Sequence, residues 1–135
     1  MKISKNFSLE EFTRSETAHI QGIDNTPGTE QIINLCALVH HVLQPLRDHY
    51  GQPVKISSGF RCQALNKAVG GVTNSQHMRG QAADIKIPGV TPTLIADYIA
   101  NHLPYDQVII YPTFVHVSYS IQANRRHRLR GGGGK

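Results

Sequence analysis

Three side chains of this 135-residue chain have the types that a catalytic metal ion asks for. His77 and Asp84 lie seven positions apart in the stretch SQHMRGQAAD, Ser75 to Asp84, and His116 stands further along in FVHVSY. A zinc ion that does chemistry takes three protein ligands and keeps one position open for water. Two imidazoles and one carboxylate meet that need. The interval between the first pair lets a loop turn into a strand. A third ligand from a different strand would be held by a rigid element, as metal geometry requires. Gly80 and Ala82 leave space there for close backbone approach or for a substrate. On spacing alone, in a chain with eight histidines, a plain polar loop fits these residues as well as a metal site does.

The elements around these residues can be read from their periodicity. SLEEF carries Ser8 followed three residues later by Glu11, the capping-box pattern, and predicts a brief helix over 8–13. GIDNTPG is a loop. From Thr29 to about Tyr50, Ile32, Ile33, Cys36, Val39, Leu43 and Leu46 recur at helical spacing, so one long helix is expected, with Pro45 kinking or ending it. PVKISSGF predicts a strand, and RCQALNKAVGG a short helix stopped by Gly70 and Gly71. QAADIKI alternates as a strand. GVTPTLIADYIANHL predicts a helix with Thr91 as its cap and Pro92 at its first position. YDQVIIYPTFVHVSYS predicts two strands joined at Tyr111–Pro112–Thr113. In the second, His116 shares a face with Phe114 and Ser118, while Val115 and Val117 share the other. This order implies an α+β domain with a small, mostly antiparallel sheet and flanking helices.

Composition narrows the function classes. The net charge of +5 is misleading until it is located. Arg125, Arg126, Arg128, Arg130 and Lys135 all fall in the last eleven residues, and the other nine basic residues balance nine acidic ones. The expected organisation is therefore one neutral domain over 1–124 and a basic, glycine-rich, disordered tail over 125–135. A domain built to bind nucleic acid would carry its own basic face, so nucleic acid is not an expected partner. No apolar run is long enough to cross a bilayer, and the N-terminus has no apolar segment of the secretory type. A soluble monomer, cytoplasmic as synthesised, is expected. Cys36 and Cys62 form no C-x-x-C pair, so a cysteine-based zinc or redox site is not expected. His40, His41, His49 and His102 read as surface or structural residues.

With these elements in place, S-x-H-x-x-G-x-A-x-D at Ser75, His77, Gly80, Ala82 and Asp84 resembles the signature of the zinc D-alanyl-D-alanine carboxypeptidase family. That family includes phage endolysins and D,D-dipeptidases. SSGFR upstream is similar to its S-G-[YF]-R segment, and FVHVSY to its last zinc-binding strand. The three segments occur in family order over about residues 53–119. The resemblance implies a hedgehog/D,D-peptidase-like fold, Zn2+ held by His77, Asp84 and His116, and peptidoglycan peptides as substrate. It also implies that Arg61 stabilises charge developing on the scissile carbonyl, a task suited to a permanently charged guanidinium. Ser75 and Ser118 read as supporting groups rather than nucleophiles. One departure stands out. Many members carry an acid three positions before the last histidine, as general base, and here that position is Thr113. The nearest carboxylate in the segment, Asp106, is therefore nominated as base, with Tyr111 as a second polar group. The expected activity is zinc-dependent cleavage of an amide bond in stem peptides or cross-links, reaching the cell wall by a phage-type release. The alternative is a metal-binding, catalytically inactive peptidoglycan-binding module of the same fold.

Overall fold

A computed structural model describes residues 1–132. Its centre is a five-stranded sheet built from β3 (Lys55–Ser58), β4 (Ala82–Lys86), β5 (Gln107–Ile110), β6 (Val115–Ser118) and β7 (His127–Arg130). The spatial order is β3-β4-β6-β5-β7. Pairing is antiparallel from β3 through β5, and β7 lies parallel to β5. The α+β architecture expected from the sequence is the one observed.

Alternation along the strands divides the sheet into two chemically distinct faces. Ala83, Ile85, Val108, Ile110, Val115 and Val117 join a buried cluster with Leu35, Leu38, Leu43 and Leu46 from the long helical segment, and with Ile95 and Ile99 from a helix that follows β4. The residues between them, Asp84 and His116, point the other way. They are direct partners across the β4–β6 ladder.

The long helix forms as α3 (Thr29–Leu38), a π-helical turn Val39–Leu43, and α4 (Gln44–Tyr50). Pro45 explains the widened turn. It has no N–H to donate to the carbonyl four residues back, and the backbone N–H of Gln44 bonds instead to the Val39 carbonyl. Pro45 thus falls in the first turn of α4, where no donor is needed. The axis continues past the proline, and Leu46 stays in the core. Helix α6 (Pro92–His102) starts as its sequence indicates, with the Thr91 hydroxyl accepting from the Leu94 N–H. Helix α5 is Gln63–Ala68.

Three features depart from the sequence-based expectation. Lys2–Ser4 (β1) and Phe7–Ser8 (β2) form a small hairpin ahead of α1 (Glu10–Thr13). The Ser8 backbone N–H donates to Glu11 at 2.9 Å, so half of the capping box is made while the helix itself begins later. Glu16–Gln21 forms α2, capped by the Ser15 hydroxyl and ended by Gly22 in the left-handed region. The third is in the segment expected to be a disordered tail, where His127–Arg130 is a sheet strand. Its arginines are engaged at home: Arg128 pairs with Asp97, and Arg126 lies 4.7 Å over the Tyr105 ring and donates to the Ala100 carbonyl. Polar partners rather than an apolar period hold this strand, which is why no hydrophobic pattern marks it. Residues 133–135 of the expected tail lie outside the described residues. Among the described residues, no helix is long and apolar enough to cross a membrane.

Candidate metal centre

His77 sits on a 3₁₀ turn, Gln76–Arg79, between α5 and β4. The Ser75 hydroxyl caps this turn by accepting from the His77 N–H at 3.1 Å. Gly80 closes it with φ +74°, and a β-carbon there would stand 2.4 Å from the Gln31 carbonyl oxygen of α3. Left-handed backbone and close approach both require glycine at this position. The turn is thereby pressed onto α3, and its histidine is directed at the sheet.

The ring of His77 is held from behind. Its Nδ1 is 2.7 Å from the Gly59 carbonyl oxygen. A carbonyl can only accept, so Nδ1 carries the proton and Nε2 keeps its lone pair. Nε2 faces Asp84 Oδ1 at 3.3 Å, and His116 Nδ1 lies 3.0 Å from the same oxygen. The candidate ligand atoms of His77, Asp84 and His116 all lie within 4.8 Å of one another. Two nitrogens and one carboxylate at this separation, with the tautomer of His77 preset, fit a single divalent ion with an open position. Among the described residues no other such cluster occurs.

The electrostatics suit the same purpose. Burial holds the His77 pKa below its usual value, so the ring stays neutral near pH 7. Burial raises the pKa of Asp84, but the hydrogen bond from His116 outweighs it, and the carboxyl is held below its ordinary range. The site thus offers a neutral His77 imidazole and an ionised Asp84 carboxylate, the forms in which such ligands hold a metal.

Arg61 forms part of the wall. Its Nε donates to Ser58 at 3.1 Å, its Nη1 to Asn66 at 3.1 Å, and its Nη2 lies 3.7 Å from Asp84 Oδ2. Asn66 in turn donates to the Val72 carbonyl at 2.9 Å. A β-carbon on Gly71 would meet Asn66 Oδ1 at 2.1 Å, so the Gly70–Gly71 stop also makes room for this bracket. Burial lowers the Arg61 pKa, and Asp84 opposes that effect.

These groups open into a cavity of about 330 Å³ that Tyr111 and Arg125 also line. Tyr111 stacks on Phe114 with centroids 4.5 Å apart, and the Gly131 backbone packs against its ring. Its hydroxyl pKa is raised by burial and by Asp84. Thr113 lines a separate groove beside Phe114 and Ile87. The nominated Asp106 is placed elsewhere than at the cluster. It is buried at the start of β5, where it accepts from the Arg125 backbone N–H at 2.7 Å, from Arg125 Nη2 at 2.8 Å and from Gln76 Nε2 at 3.0 Å. The Arg125 guanidinium, opposed by burial, holds its pKa down to about 2. A carboxylate so engaged and so acidic is a poor proton acceptor near neutrality. Sequence reasoning missed Asn66 and Arg125. A lone asparagine in a six-residue helix carries no signal, and nothing local ties Arg125 to an acid nineteen positions earlier.

A sheet that carries Asp84 and His116 at its centre, opposite its apolar face, with His77 brought to them by the preceding turn, defines a class of α+β domain built around one candidate metal ion. The chain belongs to the Peptidase M15 family, whose profile matches residues 5–118. It is similar to the zinc D-Ala-D-Ala carboxypeptidase of Streptomyces albus G, with 38% identity over 61 residues. That match covers 44% of this chain and 24% of the relative, so the chain spans about a quarter of the curated protein it matches.

Proposed function

We propose that the chain is a zinc-dependent peptidase, of D,D-carboxypeptidase or endopeptidase type, that cleaves an amide bond in peptidoglycan stem peptides or cross-links. One observation carries this reading: the Gly59 carbonyl fixes the proton of His77 on Nδ1 and turns Nε2 toward Asp84 and His116. The relative's name supplies the metal and the substrate class. A zinc ion in such a site lowers the pKa of a bound water to about 7 and polarises a carbonyl. His77, Asp84 and His116 are the proposed ligands. Arg61, fixed by Ser58 and Asn66, presents its charge at the cavity wall, where it meets negative charge developing on the carbonyl oxygen of the scissile amide. Tyr111, which lines the same cavity, is the proposed hydrogen-bonding partner for substrate. Asp106 takes a structural role, anchoring Arg125, in place of the general-base role.

An endolysin-like task on the wall, reached after phage-type release, is the finer form of this reading and rests on the motif resemblance. The test is release of amines from purified peptidoglycan by the zinc-loaded chain, with chelation and zinc add-back. Zinc-restored release supports the reading, and no release from a fully loaded protein sinks it. A second reading has one observation in its favour. Among the described residues that line the cavity, Asp84 is the single carboxylate, as in a metal-bearing peptidoglycan-binding module without turnover. Retention on insoluble peptidoglycan without amine release would select it.

A further inference from the structure

We propose that Asn25 is a positioning residue of the metal centre, clamping the peptide groups on both sides of Arg61 and so setting the Gly59 carbonyl and the Arg61 guanidinium. This rests on the peptidase reading of the same site.

Two features of the centre come from one short segment, residues 59–62, which lies between β3 and α5 in no helix or strand. Gly59 supplies the carbonyl that fixes the His77 proton, and Arg61 supplies charge at the cavity wall. No regular ladder holds such a segment, so its backbone groups need other partners. The Phe60 N–H donates to the Phe12 carbonyl at 2.7 Å, and the Arg61 N–H to the His77 carbonyl at 3.1 Å. The two groups that bracket Arg61 both go to Asn25. Its Nδ2 donates to the Phe60 carbonyl at 3.0 Å, and its Oδ1 accepts from the Cys62 N–H at 2.7 Å. Nδ2 also donates to the Thr13 carbonyl at 3.0 Å, at the end of α1. Two carbonyls and one N–H admit only this orientation of the amide.

The local sequence presents Asn25 to the segment. Helix α2 stops at Gly22, and Asp24 Oδ1 then accepts from the Thr26 N–H at 3.2 Å and from its hydroxyl at 2.6 Å. This turn leaves Asp24 and Thr26 exposed, with Asn25 half-buried between them. A β-carbon on Gly59 would stand 2.6 Å from the Phe12 carbonyl oxygen, so the segment is seated directly on α1. Asn25 itself is not among the residues that line the cavity. It acts through Gly59 and Arg61.

The donor pattern decides which substitutions matter. Aspartate has the shape of asparagine and keeps an acceptor for Cys62, but an ionised carboxylate has no proton for Phe60 or Thr13. Alanine removes every one of these bonds.

The test compares wild type, Asn25→Ala, Asn25→Asp and Thr91→Ala in the full chain. Thr91→Ala removes the cap of α6 and controls for lost stability. Zinc affinity is read by competition with a chromophoric chelator, and the His77 Nδ1 proton of the metal-free chain by proton–nitrogen NMR. Both Asn25 variants should bind zinc about tenfold more weakly, and their Nδ1 proton should exchange with water about tenfold faster. Thr91→Ala should match wild type in both, whatever its Tm. Turnover is then followed at saturating zinc. Arg61 meets charge that develops in the transition state, so kcat should fall about tenfold in the Asn25 variants while KM stays within about twofold. In the Arg61→Lys background, where the guanidinium is gone, the further fall should be under about twofold. Wild-type zinc affinity and kcat in either Asn25 variant, an equal loss in Thr91→Ala, or an undiminished fall on top of Arg61→Lys would overturn the proposal. So would Asn25 Nδ2 protons that exchange in wild type as fast as a free amide. Should the alanine variant not fold, the aspartate variant decides on the same values. No turnover in any protein, with the zinc and NMR differences intact, would keep Asn25 as a positioning residue and remove the peptidase reading. Turnover in wild type without differences among the variants would do the reverse.

Discussion

Replacing Asp106 by asparagine separates a structural carboxylate from a catalytic one. Asp106 is only 3% exposed and is bonded to the backbone and guanidinium of Arg125 and to Gln76. Its pKa lies at about 2 against an ordinary 3.8. A tenfold change in proton affinity is worth about 1.4 kcal/mol, so the ionised state contributes at most about 2–3 kcal/mol to folding. The Arg125 side chain is half exposed, and water screens its charge. About 1–2 kcal/mol is the expected loss in Asp106→Asn at pH 7, seen as a fall of about 4–8 °C in Tm. The sign with pH follows from the depressed pKa. The contribution is whole above the unfolded-state value near 3.8 and drains away as pH falls from there toward 2. Urea melts of the metal-free chain should therefore show wild type and variant converging over that window. Turnover should fall less than about tenfold, whereas loss of a general base costs about 10²–10⁴-fold. Equal stability at pH 7, or a collapse of turnover in a folded, metal-loaded variant, would refute the structural assignment and restore Asp106 as base.

Other outcomes can be measured with the same material. Gly80→Ala should cost about 2–4 kcal/mol, because its backbone is left-handed and its β-carbon would meet the Gln31 carbonyl; a loss under about 1 kcal/mol in calorimetry would mean the turn yields. Zinc at a hundredfold excess over its Kd should raise wild-type stability by about 2.7 kcal/mol, and His116→Ala should show no zinc-dependent rise in Tm, so a persisting rise would point to ligands elsewhere. Arg61→Lys keeps the charge but loses the fork to Ser58 and Asn66. It should retain metal while turnover drops about 10–100-fold, and unchanged turnover would remove Arg61 from the reaction.

Much of the candidate centre was legible because metal chemistry demands few residue types and the strands alternate. His77, Asp84 and His116 could be singled out, and the valines flanking His116 declared which face it left. Periodicity also announced α6 and the long helix with its troubled Pro45. A widened turn could not be read, since it depends on which carbonyl Gln44 reaches. Short elements held by few residues, such as β1 and β2, lack the length for a period to emerge. The strand at His127–Arg130 was hidden for a different reason: its arginines and the neighbouring Arg126 satisfy a carboxylate, a ring and helix carbonyls that lie twenty or more residues earlier in the chain. The pairing of Asp106 with Arg125 was invisible on the same ground, and without its partner in view a buried, ion-paired carboxylate resembles catalytic equipment.

The direct pairing of Asp84 with His116 across β4 and β6 makes metal loading a proofreader of the sheet. A slip of one residue between these strands would turn one ligand to the apolar side and expose valines or Ile85 to water. Such a chain could be compact and strand-rich yet unable to chelate. Uptake of an ion during refolding would therefore count correctly registered molecules rather than merely collapsed ones. Once seated, the ion would staple the two strands at that rung, so its withdrawal should first loosen hydrogen exchange at the β4–β6 amides, while those of α6 keep their protection.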